Sequence, residues 1–220
     1  MSAFRIILLA LALIVGSYTL ASTLAETSSL DRVAFPSDPA RINSPWAGEV
    51  PGGLEAVSPF RSDLEANHAL IAALQVIQSA RGKTTTGGTA ENARARARIK
   101  HALSTAPYNP ELWLALAVLQ SQSDPHDPTL VEALKMSYFT APNDFRLMPV
   151  RLDAATSVDA LADPDLKELV RGDVRLMVTR QPALKAAVVS VYRRASKLGK
   201  SFLEESVQSI NPSFLTVLRG

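Results

Sequence analysis

Four times in this chain an asparagine or aspartate is followed by proline just before a run of apolar residues at helical spacing. An Asn or Asp side chain accepts hydrogen bonds from the free N–H groups of a helix start, and proline loses nothing at the first helical position. Each pair is therefore expected to begin a helix. No run of alternating apolar and polar residues competes, so the chain is predicted to be all-α. The pairs are Asn109-Pro110, Asp127-Pro128, Asp163-Pro164 and Asn211-Pro212.

Two further helices are predicted upstream of these pairs. Ser62-Asp63-Leu64-Glu65 has the form of a capping box, and the apolar stripe behind it stops before Gly82. A polar interhelix loop is expected from Gly82 to Thr89, where a second helix begins and continues to the residue before Pro107. Residues 62–220 are therefore predicted to form one all-α domain, long enough to bury a core.

The stability of that domain must come from its apolar core. The chain contains no cysteine, which excludes disulfides, thiolate metal sites and cysteine nucleophiles. Near the C-terminus, the spacing of Leu198, Phe202 and Ile210 predicts the core face of a helix.

The N-terminus has the character of a targeting segment. No charged residue occurs between Arg5 and Glu26, and residues 6–25 form a helix just long enough to cross about 30 Å of hydrocarbon. Residues 1–25 are thus a signal anchor or, with small residues near Ala21 and Ala25, a cleaved signal peptide. The anchor is favoured. It predicts an inner-membrane protein with a single pass and its domain in the periplasm, and cleavage would give a soluble periplasmic protein instead.

Residues 26–61 contain five prolines and three glycines. Because these residues interrupt regular structure, no helix or strand is predicted there. They are predicted to be a semi-extended linker that tethers the domain. Phe35, Trp46 and Phe60 are candidates for local docking onto the domain.

Comparison of the chain with itself gives one informative offset, 35 residues, between two neighbouring helical units. Each unit is predicted to contain a helix that ends at Ala-Pro, a short turn, and an acidic or amide residue that begins the next helix. The matching pairs are Ile99 and Leu134, Ala106-Pro107 and Ala141-Pro142, Asn109 and Asp144, and Leu112 and Leu147.

This pattern resembles the tetratricopeptide repeat, which implies antiparallel helix hairpins and a Trp113 side chain that fills the gap between paired helices. In the second unit Ser137 replaces a small alanine and Met148 replaces the aromatic residue. A generic antiparallel bundle is the alternative. The residues that match the family's packing pattern are Ala95, Ile99, Ala102, Pro107, Trp113, Leu116, Ala117, Leu134 and Pro142.

The same resemblance implies a groove facing the Trp113 helix. Leu114 and Val118 lack the basic or amide groups that clamp a peptide carboxylate in this family. The groove is therefore expected either to present an apolar surface to its ligand or to be filled already by a C-terminal helix. The filled groove is favoured. The candidate partner-facing residues are Glu111, Leu114, Val118, Ser121 and Gln122.

The layout of membrane segment, spacer, degenerate repeat and helical tail is similar to that of proteins accompanying envelope polysaccharide export in α-proteobacteria. This resemblance implies a protein partner in the cell envelope.

Several chemical functions are not indicated. Gly82-Lys83-Thr84 lacks the upstream glycine and the preceding strand of a P-loop. His68, His101 and His126 fall on different elements without ligand spacing, so no metal site and no cofactor are predicted. The net charge is +2, and the basic residues from Arg94 to Lys100 are split between two sides of a helix, so nucleic acid is not predicted as a partner.

The sequence therefore predicts a non-enzymatic, membrane-tethered periplasmic adaptor or scaffold, within envelope polysaccharide biosynthesis or export. Two alternatives stay open, a periplasmic enzyme of unrecognised type and a lipid-facing structural protein. A cleft with coupled polar side chains would favour the first, and a large exposed apolar groove would favour the second.

Overall fold

The computed structural model of the chain describes residues 2–28, 34–38, 62–79 and 86–220. Within these ranges the secondary structure is helical without any strand, which confirms the predicted all-α class. The helices are α1 Ser2–Ser28, α2 Ser62–Ser79, α3 Thr86–Thr105, α4 Pro110–Ser123, α5 Pro128–Thr140, α6 Met148–Ser157, α7 Pro164–Thr179, α8 Lys185–Arg194, α9 Lys197–Ile210 and α10 Phe214–Arg219, with short 3-10 turns at Asp159–Ala162 and Pro182–Leu184.

Three of the four predicted helix starts are confirmed. The side chains of Asn109, Asp127 and Asp163 accept hydrogen bonds from backbone N–H groups in the first turns of α4, α5 and α7, at 2.8 to 3.1 Å. Each is followed by proline at the first helical position, where no hydrogen bond is lost.

The fourth of these starts is wrong, and so is a further start expected at Asp144 from the 35-residue offset. Asn211 caps the C-terminus of α9 instead, and α10 begins only at Phe214, without a side-chain cap. Asp144, the counterpart of Asn109, accepts from the backbone N–H of Arg146 at 3.0 Å, and α6 begins only at Met148. In both places the side chain supports a local turn, which competes with helix initiation.

The first two domain helices start close to their predicted positions. α2 begins at Ser62, as expected, whereas α3 begins at Thr86 and not at Thr89. Gly87 and Gly88 lie in the first turn of α3, although their low helix propensity favoured a loop. Residues 82–85 of the expected loop lie outside the described residues.

The helices share one apolar cluster that extends from α2 to α10. α2, α3 and α4 pack on one another, α5 packs on α4 and α7, and α6 packs on α7, α8 and α9. The cluster also includes Phe35 from the linker, so the linker contributes to the domain core.

α1 contributes no described side chain to that cluster. Every α1 side chain that the structure describes, from Phe4 to Leu20 and at Thr23, is exposed. Within the described residues, no helix is both long enough and apolar enough to span a membrane. The side chains at 21, 22, 24 and 25 of the expected 6–25 span, and the linker residues Trp46 and Phe60, lie outside the description.

The core face of α9 differs from the prediction. Leu198 is 43% exposed and Ile210 only partly buried, whereas Phe202 is buried as expected. Gly199 is buried and lies against α6, where a Cβ atom would come 2.3 Å from the carbonyl oxygen of Thr156. The N–H of Ser196 donates to that same carbonyl at 2.9 Å. The contact between α9 and α6 therefore requires glycine.

We expect Gly199→Ala to lower the free energy of unfolding by about 2 to 3 kcal/mol, because the atom that the new methyl group meets belongs to the backbone and cannot rotate away. Urea unfolding of the full chain measures the effect. Gly172→Ala on α7 is the matched control, since nothing lies within 4 Å of its Cβ position. It should raise stability by about 0.5 to 1 kcal/mol. Similar effects of the two substitutions would contradict a close approach of α9 to α6.

Candidate peptide-binding groove

A cavity of about 590 Å³ opens between α2, the end of α3 and the start of α4. Asp63, Ala66, Asn67 and Leu70 are spaced so that they share one face of α2, and that face forms one wall. The α3–α4 turn and Arg146 from the α5–α6 connection also line the cavity. We refer to this cavity as the α2–α4 groove.

The linker segment 34–38 docks beside the groove. Phe35 is 2% exposed, which confirms its predicted docking. Its backbone N–H donates to Glu111 Oε2 at 3.3 Å, and Ala34 contributes to the groove lining. Pro36 is half-buried, while Ser37 and Asp38 are exposed. The Phe35 side chain and its main-chain hydrogen bond to Glu111 therefore attach the segment to the domain.

Glu111 is the polar centre of this docking site. One carboxylate oxygen accepts the Phe35 N–H, and the other accepts from Arg146 Nη2 at 3.3 Å. Arg146 also donates to Asp144 at 2.9 Å. Burial raises the pKa of Glu111 above its usual value, although the Phe35 N–H and Arg146 oppose the rise. Because Asp63 adds a further acid to the lining, the groove favours a main-chain N–H or a cation over an anion.

The docking contact is small in free energy. Burial of a phenylalanine side chain contributes about 2 to 3 kcal/mol, and a hydrogen bond to a carboxylate contributes about 1.5 to 3 kcal/mol. Ordering the backbone costs about 1 to 2 kcal/mol per residue, a cost that Pro36 lowers because its φ angle is already fixed. Gain and cost are of similar size, so the contact is reversible.

The five candidate partner-facing residues do not share one surface in the structure. Only Glu111 lines the groove, and Leu114 is fully buried, which leaves it no surface for a partner. The helix that packs on α4 here is α2, and not the expected C-terminal helix, and segment 34–38 hydrogen-bonds to Glu111 at the start of α4. Val118 packs against the core, Ser121 Oγ donates to the Val118 carbonyl, and Gln122 Nε2 donates to the Ile77 carbonyl of α2 at 3.2 Å.

The residues expected to pack the repeat lie mostly in the core. Trp113 is an exception, since it is half-buried and its indole N–H donates to the Pro107 carbonyl at 2.7 Å. It lies at the edge of the helix pair and does not fill its centre. Ala95, Ile99, Ala102, Leu116, Ala117 and Leu134 are buried, and Pro107 and Pro142 are exposed.

A buried polar cluster in the second half of the domain was missed by the sequence analysis. Arg151 is fully buried and donates to Ser137 Oγ, the Ser137 carbonyl and the Ala141 carbonyl, at 3.0, 2.5 and 2.9 Å. Ser137 lies in the last turn of α5 and Ala141 directly follows the helix, so Arg151 caps the C-terminus of α5. Its guanidinium carbon also lies 4.8 Å from the centre of the Tyr138 ring.

Asp173 completes the cluster from α7. Its carboxyl is 2% exposed and lies beside the Tyr138 hydroxyl, within electrostatic range of Arg151. Burial raises the pKa of Asp173 to about 7, and the charge of Arg151 limits the rise. Among the described residues, neither Tyr138 Oη nor Asp173 Oδ2 makes a hydrogen bond of ordinary geometry. A signal existed in the sequence, because Asp173 falls on the same helix face as Leu166 and Val170.

The two sites differ in what they can do. The α2–α4 groove is open to solvent, and the Glu111 carboxylate in its lining accepts a main-chain N–H from segment 34–38. The cluster around Arg151 is closed to solvent, so it can join helices but cannot receive a substrate. Comparison of the chain with family models, curated proteins and solved structures gives no match.

Proposed function

We propose that the protein is a non-enzymatic, membrane-tethered adaptor or scaffold of the periplasm, which binds a protein partner of the cell envelope through the α2–α4 groove. One observation carries the proposal. The groove region already binds a non-helical segment of the linker, through the buried Phe35 side chain and the hydrogen bond between its N–H and Glu111. The same contacts suit an extended peptide from another protein.

Two properties of residues 6–25 support the membrane tether. The segment carries no charge, and its twenty positions match the thickness of the hydrocarbon layer. Its described side chains are all exposed, so they bury no apolar area against the domain. A hydrophobic environment outside the domain would cover them. A single-pass anchor in the inner membrane is favoured over a cleaved signal.

We further propose that α3 to α6 form antiparallel, tetratricopeptide-like hairpins. The offset of 35 residues supports this, because it pairs positions of equal burial. Ile99 and Leu134 are fully buried, and the same holds for Ala102 with Ser137 and for Leu112 with Leu147. The hydrogen bond between Trp113 and Pro107 joins the end of one unit to the start of the next.

The burial of the most perturbed ionisable groups supports a role without catalysis. Perturbed pKa values often mark catalytic residues, and Asp173 has such a value. A substrate could reach Asp173 or Arg151 only if the helix packing opened. The pathway, envelope polysaccharide biosynthesis or export, rests on the similarity of layout alone, and we propose no metal, cofactor or nucleic acid for it.

Compartment is tested with a reporter enzyme that is active only in the periplasm, fused after Gly220. Activity is expected for the full chain and should be lost when residues 1–25 are deleted. An alkaline wash then separates the two export routes, since an anchored protein stays in the membrane pellet and a cleaved one becomes soluble. A full-length protein in the cytoplasm would contradict the proposal.

A further inference from the structure

The docking of Phe35 divides the linker into two parts of different length. Fully extended, the chain from the end of α1 at Ser28 to the start of α2 at Ser62 could span roughly 110 Å. From Ser28 to Phe35 it spans about 25 Å at most. Since Phe35 lies in the domain core, the domain can move no further from α1 than the shorter part allows.

We propose that docked Phe35 is a releasable clasp that holds the α2–α4 groove close to the membrane, and that a partner's extended peptide with an aromatic residue followed by proline frees the domain by taking its place. This inference rests on the proposed membrane anchor. The cis occupant is the segment Ala34–Asp38, and the competing occupant is a peptide of the same chemistry.

The contacts of the segment make it exchangeable. Glu111 accepts a backbone N–H, a group that any extended peptide offers, and at 3.3 Å the hydrogen bond is a long one. Pro36 is only half-buried, and Ser37 and Asp38 are exposed. The cavity of about 590 Å³ next to Ala34 remains open beside the docked segment, so an incoming peptide has room to bind before the segment leaves.

The charges around the site restrict the competing peptide. Asp63, Glu111 and Asp144 are acidic, whereas Arg146 is the basic residue of the lining and is already paired with two of them. A neutral or basic peptide therefore fits, and an acidic one is repelled.

The tether length can be measured in the full chain because it contains no native cysteine. A single Ser123→Cys substitution, at an exposed position, carries a fluorescent donor, and liposomes with the chain inserted carry an acceptor on their headgroups. We expect Phe35→Ala to reduce energy transfer at least twofold. A synthetic peptide of residues 32–40 should reduce transfer in the wild-type chain, and the same peptide with alanine at position 35 should not. Phe139→Ala, which removes an exposed aromatic side chain outside the groove, is the control.

The outcomes separate the clasp from the membrane anchor. Liposome-bound protein with equal transfer for wild type and Phe35→Ala would overturn the clasp and leave the anchor intact. Protein that fails to insert into liposomes would overturn the membrane anchor. Labels at Ser37→Cys and Ser123→Cys then test the release step by itself, and no change in transfer between them on addition of the 32–40 peptide would overturn it.

Discussion

Replacing Arg151 with methionine should lower the free energy of unfolding by about 3 to 5 kcal/mol, the range seen when one member of a buried charged network is removed. The substitution keeps the side-chain volume but removes the guanidinium donors from the carbonyls of Ser137, which is buried, and Ala141, which is partly buried. It also leaves the Asp173 carboxyl without the cation that limits its pKa. Urea unfolding of the full chain at pH 7 measures the loss.

Arg146→Met is the matched control, because its side chain is 54% exposed and its ion pairs with Glu111 and Asp144 are screened by solvent. It should cost less than about 1 kcal/mol. Arg151→Lys keeps the charge but cannot reach three acceptors from a planar group, so an intermediate loss is expected. Equal losses for Arg151→Met and Arg146→Met would show that Arg151 does not cap α5.

Asp173→Asn should stabilise the protein at alkaline pH and have little effect at acidic pH. In the folded state the pKa of Asp173 is raised to about 7 from its usual value of 3.8. Between these two values the folded protein holds a proton that the unfolded chain has released. The contribution of this group to stability is therefore greatest below pH 4, and it is lost as pH rises towards 7. The loss reaches about 4 kcal/mol.

Unfolding of wild type and Asp173→Asn at pH 4.5 and pH 8 tests this coupling. The wild type should lose stability relative to the variant at the higher pH. Asp159→Asn is the control, because the side chain of Asp159 is exposed on the surface. A difference between wild type and Asp173→Asn that stays constant with pH would place the carboxyl in contact with water.

The fold class and most helix starts could be predicted because they depend on local interactions. Asn109, Asp127 and Asp163 each hold the first turn of the helix that follows, so a short sequence carries the whole signal. Asn211-Pro212 has the same residue pattern but lies directly at the end of α9, and its side chain serves the turn. The same dipeptide therefore has two outcomes, decided by what precedes it.

Contacts between helices could not be predicted in the same way. Hydrophobicity favoured Leu198 for the core, but the neighbouring Gly199 lies at the contact with Thr156 because the two backbones approach too closely for a side chain. Arg151 was overlooked for a related reason. Its acceptors lie on α5 and in the turn that follows, and only the tertiary structure brings them together.

The groove was predicted in part. Phe35 was a candidate for docking on the basis of its aromatic side chain within a proline-rich linker, and Glu111 was a candidate for binding on the basis of the repeat resemblance. In the structure one hydrogen bond joins Phe35 to Glu111, and neither the linker composition nor the repeat resemblance predicted that contact. The packing of α2 over Leu114 could not be foreseen, because it depends on contacts between α2 and α4 across a long sequence separation.

We propose that the protein acts by binding a partner through the α2–α4 groove. The most direct test of this claim is site-specific photo-crosslinking in intact cells, with the crosslinker at Ala106 in the groove or at Arg175 on the exposed side of α7. We predict one discrete adduct from Ala106 and none from Arg175, with a greater yield from Ala106 when Phe35→Ala removes the cis occupant. Equal adducts from both positions, or no adduct from Ala106 even with Phe35→Ala, would contradict the claim.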